Sequence, residues 1–179
     1  MNTEKTDAVL LADAIQGGIN SFEELLLRYE RLYYNLALRM LLNKHEAEDA
    51  IQEACLKIYK SLRFCKNPEK YKSWSCSIVH NTCIDAMRKR KIQTESLDDV
   101  MLLDSGLTPE DEVILKESRA EVQRAVDLLP AKYKSVIILR DLQGYSYQEI
   151  SETLGIKLGA VKSRILRARM MVKNNIELS

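Results

Sequence analysis

The stretch 145–173, YSYQEISETLGIKLGAVKSRILRARMMVK, decides how the chain is read. Gly144 interrupts the apolar run before it, and Ser146 with Glu149 forms an S-x-x-E capping box that opens a short helix. Ile150 and Leu154 share one face of that helix, and Gly155 ends it. Gly159 and Ala160 then start a longer helix with the apolar stripe Val161, Ile165, Ala168 and Val172. A short helix, a glycine turn and a second helix with a polar outer face predict a helix-turn-helix. The outer face carries Ser163, Leu166 and Arg167, flanked by Lys162 and Arg164. Residues 157–173 hold six basic side chains and no acidic one, so the helix suits the DNA major groove, where arginine pairs with guanine and other donors hold phosphates.

Outward from this stretch, helical spacing dominates the 179 residues, of which six are glycine and three proline. No alternating segment bounded by turn residues predicts a sheet, and the expected fold class is all-α. No apolar run approaches a membrane span of about 18 residues and no export leader is evident, which predicts a cytoplasmic chain without membrane insertion. Cys55, Cys65, Cys76 and Cys83 lack C-x-x-C spacing and read as small buried hydrophobes or free thiols. The net charge of +1 is low for a DNA binder, but it is segregated. Residues 95–121 contain nine acids against two bases, between basic flanks.

Asp7 to Gln16 predicts a first helix stopped by Gly17 and Gly18. Ser21 with Glu24 predicts a capping box for a long second helix, whose stripe runs from Phe22 through Leu25, Tyr29, Tyr33 and Leu36 to Met40. The third helix, from about His45 to Leu62, buries Ala47, Ile51, Ala54, Cys55, Ile58 and Leu62 and presents Asp49, Gln52, Glu53 and Leu56. That outer face is either simply solvated or a protein-docking patch, with charges setting orientation around an exposed leucine. Residues 63–72 predict a basic loop interrupted by Pro68, and a fourth helix starts near Ser73. Lys66, Tyr71 and Lys72 of the loop, with an outward-facing Trp74 and Asn81 and Arg88 beyond it, can hold a phosphate backbone and stack on unpaired bases. The alternative is a positive surface with a half-buried tryptophan.

Residues 92–107 predict an acidic linker, and Thr108-Pro109 a helix start. The chain thus divides into two small helical domains, 1–92 and 109–179, joined by a flexible acidic linker over 93–108. Cys76, His80 and Cys83 lie at i, i+4 and i+7 and would suit zinc, but a fourth ligand is not obvious, and they adjoin the buried stripe. No metal, cofactor or catalytic residue is therefore expected, and an enzyme reading is poor.

Three segments carry a resemblance: HEAEDAIQEACLKIYKSL at 45–62, YKSWSCSIVHNTCIDAMRKRK at 71–91, and LLPAKYKSVIILRDLQGYSYQEISETLGIKLGAVKSRILRAR at 128–169. In order and spacing the chain resembles the extracytoplasmic-function (ECF) group of bacterial RNA polymerase sigma factors, which keep conserved regions two and four. The resemblance implies an alternative sigma factor, with region two in 1–92 and region four in 109–179. Asp49, Gln52, Glu53 and Leu56 would then bind core RNA polymerase at the β′ clamp helices, and region four would meet the β flap. Lys66, Tyr71, Lys72, Trp74, Asn81 and Arg88 would contact melted −10 DNA. Ser146, Tyr147, Lys162, Ser163, Leu166 and Arg167 would contact the −35 element. The partners implied are core polymerase, promoter DNA and an anti-sigma factor, with no homodimer. Cys55 departs from a common family phenylalanine, and Leu158 and Ala160 from Pro, Ser or Thr. The competing reading is a polymerase-independent helix-turn-helix regulator, which leaves the Asp49 face and the Trp74 surface without a role.

Overall fold

A computed structural model describes residues 5–94 and 121–177. Helix α1 spans Asp7–Ile15, α2 Ile19–Leu41, α3 Lys44–Ser61 and α4 Tyr71–Thr94. After helical residues 121–127 come α5 (Ala131–Ile137), a π-turn over Ile138–Leu142, α6 (Tyr147–Leu154) and α7 (Leu158–Glu177). No strand occurs among the described residues, so the fold is all-α. The predicted linker and the helix start at Thr108 lie outside the described residues, apart from the first residues of the linker, which continue α4 to Thr94.

The first four helices form the N-terminal domain. Leu25, Tyr33, Leu36, Ala37 and Met40 of α2 are buried against α3 and α4. On α3 the buried face is largely alanine (Ala47, Ala50 and Ala54), ending in Ile58. Small side chains at i, i+3 and i+7 let α3 lie close to its neighbours. The Asn43 side chain accepts from the Glu46 amide at 3.0 Å, which caps α3.

The expected Ser21–Glu24 capping box does not form. Helix α2 already begins at Ile19, with the Phe22 amide bonded to the Gly18 carbonyl, so Ser21 lies inside the first turns. Its hydroxyl donates to the Asp13 carboxylate at 2.6 Å, tying α1 to α2, and Glu24 pairs with Arg28 instead. A Cβ at Gly18 would lie 2.2 Å from the Asp13 carboxylate, so a larger residue there would displace that side chain from Ser21. Residues 63–72 are also more ordered than a plain loop: short 3-10 turns at Leu62–Phe64 and Pro68–Lys70 lead directly into α4, two residues earlier than the spacing predicts.

The C-terminal domain follows the predicted pattern closely. Ser146 and Glu149 form the reciprocal capping box, and Gly155 caps α6 in the left-handed conformation at φ 64°. Val161, Ile165 and Ala168 bury the inner face of α7. Ser146→Ala is expected to cost about 1 kcal/mol, the usual value of such a cap, visible as a lower thermal midpoint. Ile138 and Leu139 fill the centre, where the π-turn sends the Gln143 amide to the Ile138 carbonyl at 3.0 Å.

The two domains pack against each other through α4, with α6 lying along its N-terminal half. Tyr145 is 0% exposed and gives its hydroxyl to Cys76 of α4 at 3.0 Å. The hydrophobic cores therefore join into one.

Candidate polymerase and nucleic-acid interface

The face Asp49, Gln52, Glu53 and Leu56 points away from the alanine stripe of α3, and all four residues are exposed. Leu56 keeps 61% of its surface in water, an apolar contact ringed by polar groups. The Lys57 ammonium, 2.8 Å from Glu53, holds that carboxyl below its usual range. Nothing among the described residues covers this face.

The second constellation is divided by the fold. Lys66, Asn81 and Arg88 are exposed. Tyr71, expected in an accessible loop, is fully buried as the first residue of α4 and tilts against the rings of Tyr29 and Trp74. Trp74, expected on an outer face, is half-buried because it covers Tyr71. Lys72 pairs with Glu149 at 3.1 Å and stands 4.2 Å above the Tyr145 ring. The neighbouring Lys70 pairs with Glu152 at 2.7 Å. Two lysines of the basic segment thus meet carboxylates of α6. The Ser146 amide, and then Lys72, hold Glu149 below the usual carboxylate range; Lys70 does the same for Glu152.

On the helix-turn-helix, Lys162, Ser163, Leu166 and Arg167 are exposed along α7, with Leu166 at 63%. Ser146 is exposed at the start of α6, while Tyr147 is half-buried under the Arg140 guanidinium, 4.9 Å from its ring. Lys162 and Arg167 offer donors on either side of Leu166 along α7, while the Ser163 hydroxyl donates to the Ala160 carbonyl at 3.2 Å.

Cys76, His80 and Cys83 do not converge on a metal. Cys76 accepts from Tyr145, and both thiols are buried, pushed up to about 11 for Cys76 and about 12 for Cys83. Among the described residues no group of three or more potential ligands is placed to hold a metal ion.

His80 instead joins the domains: its Nε2 lies 2.8 Å from the Ser135 hydroxyl. The Ser135 hydroxyl donates in turn to the Ala131 carbonyl at 2.7 Å, and the other ring nitrogen of His80, Nδ1, lies 3.3 Å from the Asn81 side-chain oxygen. Burial holds His80 below its ordinary value, and Arg88, Lys132 and Arg164 line the same groove. The unfolded chain therefore binds the proton first. The full stability is present above about pH 6.5, the ordinary histidine value, and falls as pH drops below it. Thermal melts between pH 7.5 and 5.5 are expected to show this fall, and His80→Gln to flatten it.

Sequence reasoning did not find the residues that join the domains: Tyr145, Ser135, Glu149 and Glu152 acting on α4. Their local pattern is that of ordinary helix and cap positions, and only Lys70 and Lys72 gave a signal, as an excess of charge.

A helical chain whose second domain is a helix-turn-helix with a basic recognition helix belongs to the DNA-binding transcription proteins. Comparison narrows this. Residues 25–92 match Sigma-70 region 2 and residues 119–172 match Sigma-70 region 4. The ECF RNA polymerase sigma factor SigE of Mycolicibacterium smegmatis is 35% identical, over 93% of this chain and 66% of that protein. SigW of Bacillus subtilis, also named an ECF RNA polymerase sigma factor, is 33% identical over 90% of this chain and 91% of that protein. The fold matches, at TM-score 0.72 and 24% identity, the sigma factor RpoE solved in complex with the anti-sigma factor NepR from Bartonella quintana, covering 88% of this chain and 98% of that one. The chain belongs to the ECF RNA polymerase sigma factors, and it is an alternative sigma factor that directs promoter-specific transcription. The family's members are transcription initiation factors rather than enzymes. No helix among the described residues is long and apolar enough to cross a membrane.

Proposed function

We propose that the chain docks on core RNA polymerase through Asp49, Gln52, Glu53 and Leu56, which meet the β′ clamp helices. The carrying observation is that these four residues form one exposed polar face around a bare leucine on a helix otherwise packed by alanine. Region four meets the β flap and brings Lys162, Ser163, Leu166 and Arg167 to the −35 element, with Ser146 and Tyr147 near its phosphates. Lys66, Lys72, Trp74, Asn81 and Arg88 hold the melted −10 strand, and Tyr71 supports Trp74 from below. The domains are 1–92 and 109–179, joined by the acidic linker 93–108. The protein acts in the cytoplasm, without catalysis or homodimerisation, and an anti-sigma factor restrains it.

Tethering two weak DNA readers to polymerase supplies the effective concentration that a lone helix-turn-helix lacks. Run-off transcription with bacterial core polymerase, on the DNA upstream of the protein's own gene, tests the reading. A discrete transcript that requires this protein is expected. A protein that shifts the same DNA tightly without polymerase, and yields no transcript with it, would instead be an independent regulator.

A further inference from the structure

Between the two domains lies an open groove of about 640 Å³. Its apolar lining includes Ile84 and Met87 of α4 and Leu154 of α6, and its cations include Arg88 of α4, Lys132 of α5 and Arg164 of α7. None of the described residues lining it is acidic. An apolar floor bordered by cations from three helices is the complement of an acidic segment with an apolar centre.

The chain contains such a segment. Residues 95–107 read ESLDDVMLLDSGL: four acids, no base, and the apolar run Val100–Leu103 bracketed by Asp98, Asp99 and Asp104. It follows directly from α4, whose Met87 and Arg88 line the groove and whose last residue is Thr94. From Thr94 to Val100 an extended chain reaches roughly 20 Å, enough to turn back onto the last two turns of α4. Tethering at that distance gives an effective concentration on the order of millimolar, so even weak complementarity is occupied.

We propose that residues 95–107 are an intramolecular ligand of this groove, with Val100–Leu103 on the Ile84, Met87 and Leu154 floor and the aspartates facing Arg88, Lys132 and Arg164. The segment thereby spans the two domains and neutralises cations beside surfaces that the sigma reading assigns to DNA. Only that consequence rests on the functional reading; the docking rests on the groove and the segment.

The test uses the full chain with Met101→benzoylphenylalanine, irradiated while free in solution and mapped by mass spectrometry. Intramolecular cross-links to residues 84–88 and 154 are expected, with their loss in the surface variant Arg88→Glu/Lys132→Glu, whose helix content is checked by circular dichroism. Cross-links scattered over other surfaces, cross-links between two chains that grow with concentration, or full persistence in a folded charge-reversed variant would each overturn the proposal. Run-off transcription by the unlabelled wild-type chain separates the two ideas. Its failure sinks the functional assignment and leaves the cross-link map unchanged.

Discussion

Reversing Asp49 and Glu53 to lysine is expected to abolish polymerase-dependent run-off transcription while the thermal midpoint falls by no more than about 2–4 °C. Both side chains are exposed, so neither carries the fold. The one ion pair lost is Glu53–Lys57, an i,i+4 pair on a solvated helix, and the new Lys–Lys repulsion is of similar size, about 0.5 kcal/mol. At an interface the same two changes convert attraction into like-charge opposition. Each is worth about 2 kcal/mol or more, so together they lower affinity on the order of a thousandfold. Leu56→Ala should weaken the same assay more modestly, through lost apolar contact alone. Unchanged transcription from a folded double variant would remove this face from polymerase binding and favour an independent regulator. The comparison separates a solvated helix face from a docking patch, which pattern alone leaves undecided.

What was legible in the sequence is what local chemistry dictates. Ser146, Glu149 and Gly155 specify the boundaries of α6 because a cap and a left-handed stop act within one turn of the residues that encode them. The stripe Val161, Ile165, Ala168 specifies the inner face of α7 for the same reason. The misreadings have non-local causes. Ser21 carries the capping signature, but Asp13 of the preceding helix recruits its hydroxyl and α2 starts earlier. Tyr71 looks like loop aromatic surface, yet Tyr29 and Trp74 close over it. Leu42 ends α2 at φ 59°, a conformation that favours glycine and that no sequence rule assigns to leucine. The domain packing was likewise invisible, since Lys70 with Glu152 and Cys76 with Tyr145 are partners more than 60 residues apart. The same charges that announced a nucleic-acid surface on α4 serve, in this arrangement, to hold α6 against it.

Tyr145→Ala is expected to separate the domains while leaving each folded, and to raise the affinity of the free chain for a single-stranded −10 oligonucleotide. Tyr145 fills the junction: its ring lies under the Lys72 ammonium and its hydroxyl reaches Cys76, with no exposure to solvent. Truncating a buried aromatic costs about 3–5 kcal/mol. The contacts that remain across the junction are peripheral. They are the Lys70–Glu152 and Lys72–Glu149 pairs, part-exposed and worth about 0–1 kcal/mol each, the His80–Ser135 hydrogen bond, and the bonds from Gln143 to the Leu32 carbonyl and from Arg39 to Gln123. Helix α6 keeps its capping box and Gly155 stop, and the N-terminal domain keeps the packing of α1 to α4, so the loss concentrates at the junction. Scattering should show a larger radius of gyration, and melting should split into two transitions. Tyr145→Phe, which removes only the hydroxyl, should remain closed and bind the oligonucleotide as wild type does. Freed from Glu149, Lys72 becomes available to phosphate. Stronger single-strand binding by the alanine variant alone would therefore tie domain separation to −10 recognition. An expanded alanine variant with unchanged binding would show that region four does not compete for this surface, and a compact one would show that Tyr145 does not hold the domains together.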